Sequence, residues 1–443
     1  MPNRYVLKNG TIVNENQRIE GDIAIDEFGR IGQIGGTATG STEIDVSGSW
    51  ILPGMIDDQV HFREPGMEHK ATIATESRAA LAGGITSYME MPNCIPQTIN
   101  RSRLLDKHER ASQRSLANFG FYLGATNENL EEIKAVDQEK ACGVKVFMGA
   151  STGNMLVDEP LTLEGIFASC PLVIATHCED TPTILANEEA VRERYGANAP
   201  PGTHASIRSA EACFKSSSLA VDLAKRMGSR LHVLHLTTSV EMGLFETGPI
   251  ESKQITAEVC IHHLHFNSDS YESKGADIKC NPSIKSKEDQ LALQTALNDD
   301  RIDAIATDHA PHTREEKNQP FLDAPAGLPL VEFALPCVLE FVKRGTYDLE
   351  RIVEKVSHAP AKLFNVRERG FLREGYWADL VVVDPTQDTV VDERTVFSKC
   401  GWTPFAGSTF STQVTNTFVN GNHMYSRGEF LTNTCGMALQ YDR

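Results

Sequence analysis

Three histidines, a lysine and an aspartate each stand at or near the end of a separate short apolar stretch. They are His61 in Asp58-Gln59-Val60-His61-Phe62-Arg63, Lys145, His177 after Ala175-Thr176, His235 after Val233-Leu234, and Asp308 in Ala306-Thr307-Asp308-His309-Ala310-Pro311-His312. One histidine ending a strand is more often a packed residue than a ligand. Five such groups, scattered from position 61 to position 308, are hard to explain by packing alone if the fold gathers the stretch ends. Imidazole nitrogens and carboxylate oxygens hold zinc while leaving a position open for water. A metal so held lowers the pKa of its water toward about 7 and polarises a carbonyl oxygen, the chemistry of amide hydrolysis without a covalent intermediate. One or two Zn2+ ions per chain are therefore expected. Lys145 has two readings. An ammonium group is poorly placed beside a metal in a barrel interior, so it is either a salt-bridged structural lysine or a lysine carboxylated by carbon dioxide to a metal-bridging carbamate. Spacing alone favours the first.

The elements that must position these groups recur eight times. Apolar, β-branched stretches cover 54–61, 85–91, 118–125, 143–149, 171–177, 230–235, 254–260 and 302–308, with amphipathic candidates such as 72–82, 101–115 and 206–227 between them. Continuously apolar strands alternating with helices predict a parallel TIM (β/α)8 barrel, whose catalytic groups project from the C-terminal strand ends. An open doubly wound sheet is the alternative, but no Gly-rich phosphate loop follows any strand. Residues 1–50 and 370–443 instead show alternation and turn dipeptides. They are expected to form a small β domain from the two chain ends, flanking a barrel over 51–369.

Composition narrows the partners. The 443 residues carry a formal net charge of −18, which disfavours nucleic acid. There is no apolar run long enough to span a membrane and no apolar signal core near the N-terminus, so a cytoplasmic protein is expected. The ten cysteines include no C-x-x-C pair and read as reduced, mostly buried thiols.

Several motifs resemble the dihydroorotases of the amidohydrolase superfamily. They are Ile56-Asp57-Asp58-Gln59-Val60-His61-Phe62-Arg63-Glu64-Pro65-Gly66, Glu90-Met91-Pro92-Asn93, Thr307-Asp308-His309-Ala310-Pro311-His312 and Lys399-Cys400-Gly401-Trp402-Thr403-Pro404-Phe405, with Ala378-Asp379-Leu380-Val381-Val382 and Val419-Asn420-Gly421 in the tail. The resemblance implies reversible hydrolysis of L-dihydroorotate to N-carbamoyl-L-aspartate in pyrimidine biosynthesis. It implies metal binding by His61, Lys145 (carboxylated in many members), His177, His235 and Asp308, with Asp308 also the general acid/base. Arg63 and Asn93 match the pair that holds the substrate carboxylate. Asn281 and His312 match further substrate contacts, and the backbone of Ala326 and Gly327 lies where the family closes over the ring; the loop between Ala310 and Gly327 is a candidate to close on substrate. A homodimer is the family default.

The pattern breaks at Gln59, where the family has the first histidine of an H-x-H pair. A glutamine carbonyl is a weaker zinc ligand than imidazole, so the metal position built on His61 and Asp308 loses a nitrogen, while that built on His177 and His235 stays intact. Two other functions compete. A dihydropyrimidinase or allantoinase would share the barrel and the metal histidines but has no need of a carboxylate-binding Arg63. A non-catalytic dihydroorotase-like partner has Gln59 as its only support. His262, His263 and His265 read as packing around the seventh strand, and the resemblance adds that a His-His pair recurs there without binding metal. His204 and His232 read as ordinary, and Cys178 as facing away from the site.

Overall fold

The computed structural model describes residues 3–149 and 155–443. Eight parallel strands form the barrel in sequence order: Met55–Val60, Ile85–Glu90, Asn118–Gly124, Ala141–Phe147, Ile174–His177, Leu231–Val233, Ile255–Cys260 and Ala304–Ala306. The first four are buried at every residue, as expected where helices cover one face and side chains fill the interior. The ring closes where the first strand meets the segment after the eighth. Val60 bridges His309 in parallel, and the His61 amide donates to His309 O at 2.7 Å.

Helix starts follow from local side chains. Thr72 and Ser286 form reciprocal capping boxes before Ile73–Ala82 and Lys287–Asn298, and Asn100 caps Arg101–Arg114. The helical stretch expected over 206–227 is divided. Ser209 accepts from Ala212 N and starts Ala210–Met227 afresh, after a separate turn His204–Ile207. Strands six and eight are also shorter than the apolar stretches that contain them. The chain leaves the sheet early, so that His235 and Asp308 lie beyond the last paired residues.

The two chain ends make a second, mostly antiparallel sheet of nine strands. Asn3–Asn14 pairs with Gln17–Asp26, Trp50–Pro53 pairs with Leu380–Asp384, and Leu380–Asp384 pairs with Gln413–Val419. A buried carboxylate joins this sheet to the barrel. Asp379 accepts from the Asn420 amide at 2.7 Å, from Asn118 Nδ2 of the third barrel strand at 3.0 Å, and from the Arg369 guanidinium. Removing one member of a buried pair leaves the other charge without compensation. Asp379→Ala is therefore expected to cost about 3–5 kcal/mol, seen as a lower melting temperature in calorimetry. Asp388→Ala, at an exposed position, should stay within roughly 0.5 kcal/mol; equal melting of the two variants would contradict the assigned role of Asp379.

Candidate active site

His61, Arg63, Asn93, Lys145, His177, His235, Asn281, Asp308, Ala326 and Gly327 share the wall of one cavity, with Gln59, Phe147 and Ala310. His312 stands at its edge, with Nε2 3.1 Å from both Arg63 Nη2 and Ala326 O. Every residue singled out from the sequence for metal or substrate binding is thus brought to the C-terminal mouth of the barrel or its rim.

Three of these residues leave the chain in left-handed backbone: Arg63 at φ 66°, His235 at φ 41° and Asp308 at φ 49°. Such conformations are costly for non-glycine residues and persist only where neighbours over-determine them. The neighbours are visible. The His235 amide donates to Glu258 Oε1 at 3.1 Å. Before Asp308, Thr307 donates to Asp57 through its amide (3.1 Å) and its hydroxyl (2.6 Å). After it, His309 accepts from the Leu330 amide at Nδ1 (2.9 Å) and donates from Nε2 to Glu76 (2.9 Å). Arg63 Nε donates to Pro311 O at 3.0 Å. These bonds turn the three side chains toward the cavity.

Two groupings of donors suit a divalent cation. His177 has Nε2 3.0 Å from Glu179 Oε2, a carboxylate that Arg208 and His177 hold down to about 2 against the effect of burial. Its proton thus sits on Nε2, and the Nδ1 lone pair faces His235 Nε2 at 3.0 Å. Two nitrogens on one tetrahedral zinc stand roughly 3.3 Å apart. Burial, with His177 nearby, pushes His235 well below its usual pKa, so it is a neutral imidazole, the form that ligates. In the second grouping, Asn93 Oδ1 takes the Nδ1 proton of His61 (2.8 Å), and His61 Nε2 faces Asp308 Oδ1 at 3.1 Å. Either a second proton on His61 or a cation can bridge that contact. Burial lowers the basicity of His61, which favours the cation. Burial also acts to raise the Asp308 carboxyl, but His61, His262 and Lys145 outweigh it and keep the group ionised.

Lys145 lies on the same wall, almost fully buried, and its ammonium has no hydrogen-bond partner among the described residues. Burial pulls it down to about 8. It is no salt-bridged structural lysine. Gln59 donates from Nε2 to Asp308 Oδ1 at 3.2 Å and turns Oε1 toward Cys260 Sγ at 3.8 Å. As oriented, it satisfies Asp308 and offers no oxygen to a cation there.

The other end of the cavity is cationic. Arg63 is buried, 5% exposed, and no carboxylate lies within ion-pairing distance of it among the described residues. Burial lowers it to about 10, still charged at neutral pH. Lys70 donates to His312 Nδ1 at 3.0 Å. His312 therefore carries its proton on Nε2 and donates to Ala326 O, leaving Arg63 Nη2 unreceived. Burial and the nearby Arg63, Lys70 and Lys317 keep His312 neutral. Asn281 Oδ1 is buried on the same wall and has no hydrogen-bond partner among the described residues.

Sequence reasoning overlooked several supports. His232 donates from Nδ1 to Thr256 (2.8 Å) and places Nε2 3.3 Å from Asp58 and 3.5 Å from Glu258, deep in the barrel. Burial opposes its charge, yet the two carboxylates raise it to about 9. A protonated His232 thus lies between Asp58 and Glu258, and Glu258 receives the His235 amide. Asp57, Lys70, Glu179, Lys279 and Lys317 were likewise missed. The only signal for them was an ionisable residue inside an apolar stretch or beside a flagged motif. His262 and His263 lie on a short helix, Ile261–His265, that follows the seventh strand. Cys178 packs in the outer core, with Sγ donating to Thr176 Oγ1.

Comparison with known proteins shows the family. The family model described as "Amidohydrolase family" matches residues 50–424, and the chain belongs to that family. It is 34% identical over 389 residues to a dihydroorotase of Halobacterium salinarum, covering 87% of this chain and 89% of the relative. It is 33% identical over 435 residues to a dihydroorotase of Listeria innocua, covering 96% and 99%. Among solved structures, an L-hydantoinase (dihydropyrimidinase) from Arthrobacter aurescens superposes with a TM-score of 0.93 at 28% identity, covering 99% of this chain and all of the other.

The geometry at Gln59 has a measurable consequence. Gln59→His replaces an amide donor with an imidazole beside Asp308 and His61. It is expected to raise the zinc retained per chain after dialysis, counted by mass spectrometry of the metal. Unchanged retention would show that Gln59 does not limit metal binding.

Proposed function

We propose that this chain is a dihydroorotase, hydrolysing L-dihydroorotate reversibly to N-carbamoyl-L-aspartate in pyrimidine biosynthesis. The observation that carries the reading is the unpaired Arg63. A buried cation without a counter-ion is strongly disfavoured, and a substrate carboxylate seated there would supply the missing charge through two parallel hydrogen bonds. The curated dihydroorotase relatives support the same choice.

His177 and His235, with Lys145, would hold one Zn2+, and His61 with Asp308 a second and weaker one because of Gln59. The bound metal would supply Lewis-acid polarisation of the ring amide and a more acidic water. The low basicity of Lys145 supports its carboxylation, since the free amine is the form that adds carbon dioxide, releasing one proton as the carbamate forms. Arg63 and the Asn93 side chain hold the carboxylate, and Asn281 Oδ1 offers an acceptor to a ring N–H. The Ala326–Gly327 backbone limits the ring from above. Asp308 accepts a proton from the attacking water and passes it to the departing ring nitrogen. The ten free cysteines support a reducing, cytoplasmic setting. We divide the chain near 50/51 and 369/370, because strands from both ends pair in one sheet; the pairing of Trp50–Pro53 with Leu380–Asp384 carries that sheet past 50/51 to Pro53.

The hydantoinase likeness favours a second reading, an uncharged cyclic ureide or imide as substrate. Such a ring would leave Arg63 unpaired. The two readings separate in one assay. Arg63→Met should lower kcat/KM for L-dihydroorotate by about 100-fold or more, the scale of a truncated buried charge pair, with zinc content unchanged. If the native protein instead turns over hydantoin or dihydrouracil better than dihydroorotate, and Arg63→Met does not alter that rate, the second reading stands. Metal removal and reloading should restore turnover only with bicarbonate present if Lys145 is carboxylated; full recovery without it would argue against the carbamate.

A further inference from the structure

The wall residues Ala326 and Gly327 belong to a segment, 320–327, with no helix or strand of its own, in which Phe321, Ala324 and Gly327 are buried. A buried loop ordinarily leaves carbonyl groups unsatisfied. Here two lysines take them. Lys279 Nζ donates to Phe321 O (2.7 Å), Leu322 O (3.0 Å) and Ala324 O (2.6 Å). Lys317 Nζ donates to Pro325 O (3.0 Å), Gly327 O (3.1 Å) and Lys279 O (3.4 Å). Burial lowers Lys279 to about 8 and Lys317 to about 7, but three backbone carbonyls around each nitrogen match the three N–H donors of the protonated form and favour it. Neither lysine has a carboxylate within ion-pairing distance among the described residues, and both are buried, Lys279 at 7% and Lys317 at 2% exposure. The one carbonyl between those held by Lys317, Ala326 O, is taken by His312, whose tautomer Lys70 sets. Gly327 N closes the ring by donating to Lys279 O at 2.9 Å. The segment is wrapped around two ammonium groups much as a loop wraps a bound cation.

We propose that Lys279 and Lys317 are positioning residues for the substrate end of the cavity: their ammonium groups replace the secondary structure that 320–327 lacks and so set the height of Ala326 and Gly327 above the ring. The geometry leaves little latitude. Gly327 sits at φ 143°, and a Cβ there would lie 2.4 Å from Ala310 O and 2.9 Å from His312 Cδ2. A shift of the segment would therefore reach Ala310 and His312 directly, and Arg63 through His312. The inference rests on the reading of this cavity as the substrate site.

The test uses the zinc-loaded protein and the variants Lys279→Met and Lys317→Met, which keep most of the unbranched side chain but remove the donors. Lys355→Met is the control. It is also a buried lysine, bonded to Asp300 and Ile302 O and remote from the cavity. Hydrogen exchange of 318–328 is read by mass spectrometry, and KM and kcat for L-dihydroorotate are measured alongside metal content. The lysine variants should lose about tenfold or more of exchange protection in that segment alone, and KM should rise about tenfold while kcat changes far less. Lys355→Met should destabilise the protein without either effect. Unchanged exchange and KM in both lysine variants would overturn the proposal. So would exchange that rises across the whole barrel, or failure of both variants to fold, since the lysines would then support the barrel and not the segment. If the native protein does not turn over dihydroorotate, the functional reading fails, but the exchange measurement still decides what the lysines hold.

Discussion

The site depends on the closure of the barrel between its first and last strands. His61 and Asp308 are 247 residues apart in the chain, yet touch at 3.1 Å because the His61 amide bonds to His309 O and Val60 bridges the same residue. Asp57, one turn of pleat below, anchors Thr307 with two bonds. That anchor fixes where the chain leaves the eighth strand. Without it, the left-handed turn at Asp308 would relax and the carboxylate would swing from the cavity. Closure therefore does more than complete a sheet. It brings a group from the first strand and one from beyond the eighth close enough to act on one bound atom.

Around that seam the protein separates two kinds of charge. Neutral imidazoles and an ionised carboxylate gather on one wall, where burial suppresses protonation of His61 and His235. Cations gather at the opposite end, where no carboxylate among the described residues lies within ion-pairing distance of the buried Arg63, and Lys70, itself paired with Glu316 at 2.9 Å, holds His312 in the tautomer that bonds Ala326 O. The polarity matches a substrate with a carboxylate at one end and a scissile amide at the other. It also explains how a chain with a net charge of −18 can receive an anion: the local field within a low-dielectric cleft outweighs screened charges on the surface.

Beneath the cavity, a charged His232 lies between Asp58 and Glu258, and Glu258 in turn receives the His235 amide. Above it, two lysines hold the segment that roofs the site. Both arrangements bury charge to fix backbone, one under a strained strand exit and one inside a loop. In each case regular hydrogen-bond ladders end where the functional residues begin, and ionisable side chains take over the task of holding the main chain in place.

Much of this was legible in the amino-acid sequence. Eight apolar stretches separated by amphipathic segments specify a parallel barrel, because buried strands need continuous apolar character and the intervening helices need one apolar face. Polar residues at the stretch ends then mark the site, since the barrel gathers those ends at one rim. Asp308 and the three histidines stood out on residue type and place, whereas the expected roles of Arg63 and Lys145 came from the family resemblance, and Gln59 stood out as the departure. Three things were decided only in the tertiary structure. The left-handed exits at Arg63, His235 and Asp308 have no local signature, because distant partners such as Asp57 and Glu258 impose them. The tautomers of His177 and His312 follow from Glu179 and Lys70, which no periodicity connects to them. The lysine-held segment 320–327 carries no pattern of its own, because its bonds run from side chains elsewhere in the chain to backbone carbonyls, and every residue type presents the same carbonyl.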